Sequence, residues 1–80
     1  MITATPGEQI REVREYANLT QEQLVSAINH RRPKGAQQIN QSHLSAMEND
    51  QHVPTLTLLR EIADATGHRV EDRLFVEFRK

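Results

Sequence analysis

The stretch Gln41-Ser42-His43-Leu44-Ser45-Ala46-Met47-Glu48-Asn49-Asp50 decides how the rest of this chain is read. Asn40 offers a side-chain oxygen suited to an N-cap, and Gln41 then opens a helix. Ile39 before that cap and Leu44 after it have the spacing of a hydrophobic staple. Leu44 and Met47 point inward, which leaves Gln41, Ser42, Ser45, Ala46 and Asn49 on the opposite flank. That flank is short, polar and nearly uncharged. Such a face makes a poor salt-bridged exterior. It suits the major groove of a duplex, where small residues allow close approach and amides pair with base edges. Periodicity alone fits any amphipathic helix equally well, so the neighbouring segments must decide.

Upstream of this helix, Asn29 through Asn40 reads as a loop, because Pro33 and Gly35 both break helices. The loop carries Arg31, Arg32 and Lys34 with no acid, although the whole chain has a net charge of -1. Positive charge is thus focused just before the helix, and a local patch can position a near-neutral protein on phosphates. A solvated loop would look the same by charge alone.

Two further helices are expected before the loop. Thr5-Pro6-Gly7-Glu8 combines an N-cap, a proline at the first helical position and the glutamate of a capping box. Ile10, Val13, Arg14 and Ala17 follow at helical spacing, with Arg14 out of place on an apolar face. Asn18 ends that helix, and Thr20-Gln21-Glu22-Gln23 opens a second with Leu24, Val25 and Ile28 inward. Downstream, Thr55 caps a fourth helix whose stripe is Leu56, Leu59, Ile62 and Ala63, and Gly67 ends it.

After Gly67 the period falls to two. Leu74, Val76 and Phe78 alternate with Phe75, Glu77 and Arg79, which predicts a strand over about 70–79. A lone strand has no partner in its own chain, so pairing with a second copy in a two-fold dimer is expected, through Leu74, Val76 and Phe78. A short fifth helix over Val70-Glu71-Asp72-Arg73-Leu74 is the competing expectation.

Taken together, the pattern resembles the lambda-repressor-like (Cro/CI, xenobiotic-response-element) helix-turn-helix family. The residues that carry the resemblance are Ile10 and Arg14, the run Leu19-Thr20-Gln21-Glu22-Gln23-Leu24, then Gln41-Ser42, Leu44-Ser45 and Met47-Glu48-Asn49, and finally Pro54-Thr55-Leu56 through Gly67. It implies an all-α, four-helix domain over about 6–67, within a single domain spanning 1–80. To this are added an extended turn between the second and third helices and a C-terminal β-strand used for dimerisation.

The resemblance also implies roles. Gln21 would touch a backbone phosphate and brace the third helix, while Gln41, Ser42 and His43 would read bases, with Ser45 and Ala46 one turn on. Asn49 would contact phosphate, and Arg14 and Glu48 would form a partly buried ion pair. The turn departs from the family in carrying about nine extra residues, and Arg31, Arg32 and Lys34 within it become candidate phosphate contacts, ordered on DNA. Ala46 departs too, since alanine can contact only a thymine methyl.

Catalysis and metal binding are not expected. His30, His43, His52 and His68 are too far apart for a local zinc motif, and cysteine is absent. No cofactor is implied, and 80 residues leave little room for a closed catalytic pocket. The absence of cysteine suits a reducing cytoplasm, and no apolar run reaches the ~20 residues of a membrane span. The expected function is a dimeric, sequence-specific transcriptional repressor on a palindromic operator. An antitoxin that also binds a cognate toxin and a Cro-type phage repressor both fit, and an interaction module that has lost DNA binding is the rival of a different class.

Overall fold

Every helix among the described residues begins on a side-chain cap. The computed structural model describes residues 5–71 and 74–77. It places α1 at Pro6–Tyr16, α2 at Gln21–Arg31, α3 at Gln41–Glu48 and α4 at Leu56–Thr66, followed by β1 at His68–Glu71 and β2 at Leu74–Glu77. The hydroxyls of Thr5 and Thr20 accept from the amides of Glu8 and Gln23, whose side chains reach back to the cap amides, completing two capping boxes. The Asn40 and Thr55 side chains cap α3 and α4 by accepting from the amides of His43 and Leu58. Gly67 ends α4 at φ 77°, a left-handed conformation that glycine adopts without strain.

The four helices enclose one apolar core of Ile10, Val13, Leu24, Ile28, Ile39, Leu44, Met47, Leu58, Leu59 and Ile62. Ile39 and Leu44 both enter it from either side of the Asn40 cap. Leu58 fills the place expected of Leu56, which stands 55% exposed. The stripe of α4 is therefore Leu58, Leu59, Ile62, Ala63 and Thr66, because Leu56 is the first residue of the helix and lies beyond the core's rim.

α1 and α3 meet at Gly7. A Cβ there would lie 2.4 Å from the Met47 carbonyl oxygen and 2.6 Å from that of Glu48, so only glycine permits this approach. Asp50, at φ 60°, accepts from the Gly7 amide at 3.0 Å and from the Thr5 hydroxyl. The carboxylate after α3 thus sits at the positive N-terminal end of α1 and joins the two helices.

Two further expectations are corrected. The loop begins later than Asn29, because α2 continues through Asn29, His30 and Arg31. Asn29 is helical, and its side-chain amide donates to the Ile39 carbonyl at 2.9 Å and accepts from the Ile39 amide at 3.0 Å. The stop is Pro33, which forces the preceding Arg32 into an extended conformation (φ -76°, ψ 146°). The C-terminal segment is neither one unpaired strand nor a fifth helix. β1 pairs antiparallel with β2, Val70 opposite Phe75 and Arg69 opposite Val76. Pairing has a partner in cis because His68–Glu71, which shows no period-two signal, is itself extended. The hairpin packs on α4 through β1 and on α1 through β2, the support a two-stranded sheet needs. Phe78, placed in the strand by its alternation, lies outside the described residues.

Candidate nucleic-acid interface

A hydrogen-bond relay runs from the core to the first turn of α3. It starts at Glu48, whose side chain is fully buried at the far end of that helix. Arg14 donates to it twice, from Nε at 2.7 Å and Nη2 at 3.1 Å, and spends Nη1 on the Leu19 carbonyl at 2.9 Å. Gln21 Nε2 donates to the same carboxylate at 3.1 Å, and Gln21 Oε1 accepts from Gln41 Nε2 at 3.2 Å. Every buried polar side-chain atom among the described residues is satisfied, so the charge of Glu48 is compensated where it lies. The Arg14 guanidinium has its pKa raised by the hydrogen bond to Glu48, with burial opposing and the Glu48 charge assisting.

Gln21 and Gln41 are the first residues of α2 and α3, so their contact brings two helix N-termini together. Each N-terminus carries free amides and partial positive charge, a combination that favours a phosphate oxygen. Beside them runs an open groove of about 350 Å³ lined by Gln21, Gln41, Ser42, Ser45, Ala46 and Gln51. None of the six is charged. Gln41 and Ser42 are exposed and Ser45 and Ala46 half-buried, so α3 presents small and amide side chains at its outer face.

His43 does not join this groove. Its ring lies edge-to-face with His52, centroids 5.5 Å apart, and lines a separate cavity of about 190 Å³ with Arg32, Ile39, Val53 and Leu58. Asn49 is exposed but internally committed: its Oδ1 accepts from Arg11 Nη2 at 3.0 Å and its Nδ2 donates to the Ser45 carbonyl at 3.0 Å.

The basic residues divide. Arg32 forms a two-pronged pair with Glu61 of α4, Nε to Oε2 at 2.8 Å and Nη2 to Oε1 at 2.7 Å, and donates a further bond to the Gln37 carbonyl. That pair raises the Arg32 pKa. Arg31 and Lys34 are exposed and make no ion pair among the described residues. With Arg32 fixed at one end and Asn29 holding Ile39 at the other, the 32–40 turn is tied down without DNA.

Two contributors to this face escape a reading by helical period. Arg11 reaches the end of α3 from α1, its Nε 3.6 Å from Glu48. Gln51 lies beyond the helix and returns to the groove only because Asp50 takes a positive φ, for which an aspartate after a helix is a weak signal.

Four capped helices, with α3 set against the start of α2 and its outer face open, define a helix-turn-helix unit. A family model for the helix-turn-helix domain matches residues 7–74, and the chain belongs to that family. The match agrees with the lambda-repressor-like resemblance and takes in α1 from its second residue together with the whole of α2, α3 and α4. No curated protein and no solved structure matches the chain. Among the described residues no helix is long and apolar enough to cross a membrane.

Proposed function

We propose that the chain is a sequence-specific DNA-binding transcriptional regulator that acts as a dimer on a palindromic operator. The observation that carries this reading is the Gln21–Gln41 contact, which fixes an uncharged, amide-rich groove beside two converging helix N-termini. In this reading Gln41, Ser42, Ser45 and Ala46 face the base edges, and Gln21 meets a phosphate through its helix terminus. Asn49 supports the helix end, and His43 flanks the groove beside His52. Arg31 and Lys34 supply the adjacent phosphate contacts, while Arg32 anchors their loop.

Dimerisation through the C-terminal hairpin is part of the proposal. Pairing with β1 occupies one edge of β2; the other edge pairs with no strand among the described residues, and we propose that it takes the same strand of a second copy. Two recognition helices would then enter successive major grooves about 34 Å apart. We favour an autorepressor of the antitoxin type, with a cognate toxin as second partner, over a Cro-type phage repressor, on the strength of the extended segment after the helical unit. A toxin-like reading frame beside the gene would separate them.

A protein-interaction module is the second reading, favoured by the uncharged groove and the internal commitment of Arg32 and Asn49. Fluorescence anisotropy on the gene's own upstream duplex against a scrambled one, at one fixed salt concentration, discriminates between them. Preference for the upstream duplex by ~10³-fold or more is expected of an autorepressor. Equal and weak binding to both would contradict that function.

A further inference from the structure

Four carboxamides stand on or beside the outer face of α3: Gln21 and Asn49 have both amide atoms engaged, and Gln41 has its nitrogen engaged. Gln21 donates to Glu48 and accepts from Gln41, which spends its own nitrogen in doing so. Asn49 accepts from Arg11 and donates to Ser45. Gln51 alone among the four makes no side-chain hydrogen bond within the described residues, yet it lines the same groove.

Its backbone is fixed. The Gln51 amide donates to the Ala46 carbonyl at 2.8 Å, closing the end of α3. The preceding Asp50 is held in its left-handed turn by the Gly7 amide and the Thr5 hydroxyl. A side chain leaving so constrained a turn starts from a defined point, and fewer torsions need to be ordered on binding. Beside it Ala46 offers only a methyl group, which leaves space in the groove for a longer side chain from elsewhere.

We infer that Gln51 is a base-reading residue, supplying from beyond the helix the amide that Ala46 lacks, with adenine as its base. An uncommitted carboxamide presents one donor and one acceptor, the complement of adenine N7 and N6 in the major groove. This rests on the operator-binding reading above, and it adds a base contact that the helical period alone does not contain.

The test is selection from a randomised duplex pool by the full chain and by its Gln51→Ala variant, followed by anisotropy on single-site duplexes. Gln51 is exposed, and alanine keeps the backbone bond to Ala46, so the variant retains the fold. The wild type is expected to enrich a motif in which one A·T pair depends on Gln51. Replacing that pair should weaken wild-type binding by about tenfold or more and leave the variant's binding nearly unchanged, while all other positions persist. A variant that enriches the same motif with equal strength everywhere would overturn the inference while leaving operator recognition intact. A wild-type chain that enriches no motif would overturn operator recognition, and this inference with it.

Discussion

Glu48 is the residue on which the most depends. Its buried carboxylate compensates Arg14, approaches Arg11 and orients Gln21, which in turn holds Gln41. Glu48→Ala would orphan a guanidinium whose side chain is only 13% exposed, and should destabilise the fold by about 3–5 kcal/mol. Urea melts measure this, and a loss below ~1 kcal/mol would mean that the pair behaves as an exposed one. The Arg14 side of the pair has a defined pH signature. Because its folded pKa is raised, its contribution is complete below the ordinary arginine value and is lost only as pH rises through the folded one. Across the neutral range it therefore adds no slope to stability. Gly7 tests the same junction from the other helix. Gly7→Ala would press a methyl against two backbone carbonyls, which cannot rotate away as a side chain can. A loss of about 3 kcal/mol is expected in the same melts, and a neutral substitution would mean that α1 can slide away from α3 without cost.

Among the elements, the turn over residues 32–40 bears most on the proposed function. Its order comes from Arg32–Glu61 and Asn29–Ile39, contacts made 29 and 10 residues apart in sequence. A double-mutant cycle on Arg32→Ala and Glu61→Ala should give a coupling of about 1–3 kcal/mol, since both side chains are about four-fifths buried. Zero coupling would leave the turn untethered. With Arg32 committed, changing Arg31 and Lys34 together to alanine should weaken binding to all duplexes and flatten the salt slope by up to ~2 contacts' worth. The same contacts explain what could be read in advance. The caps at Thr5, Thr20, Asn40, Thr55 and Gly67 were legible because each is completed within a few residues. The end of α2 was not: Pro33 and Gly35 predict a loop from Asn29, whereas the helix runs on to Arg31, directly before Arg32 and Pro33, and the Asn29 side chain holds Ile39 across the turn. The hairpin was half legible. β2 has the alternation of a strand, whereas His68–Glu71 becomes one by pairing with it. In the candidate groove, Gln41, Ser42, Ser45 and Ala46 could be placed by helical period, but Gln51 needed the turn at Asp50 and His43 the neighbouring His52.

For the whole molecule, a net charge of -1 implies that affinity cannot rest on general attraction to nucleic acid. On the proposed function, binding draws on fixed helix termini, a few cations and the geometry of a proposed dimer. Removing residues 70–80 should therefore convert a dimer to a monomer by light scattering and weaken operator binding in step, since each half-site alone offers half the contacts. An unchanged dimer mass would place the interface elsewhere, for instance at Val53 and Leu56, the exposed apolar residues before and at the start of α4. The most direct measurement of the central claim is a backbone amide NMR titration of the chain with its upstream duplex. The expected result is perturbation concentrated at Gln21, Gln41, Ser42, Ser45, Ala46 and Gln51, with smaller shifts at Arg31 and Lys34. Shifts confined to other surfaces, with the outer face of α3 silent, would contradict its role as the DNA-reading element.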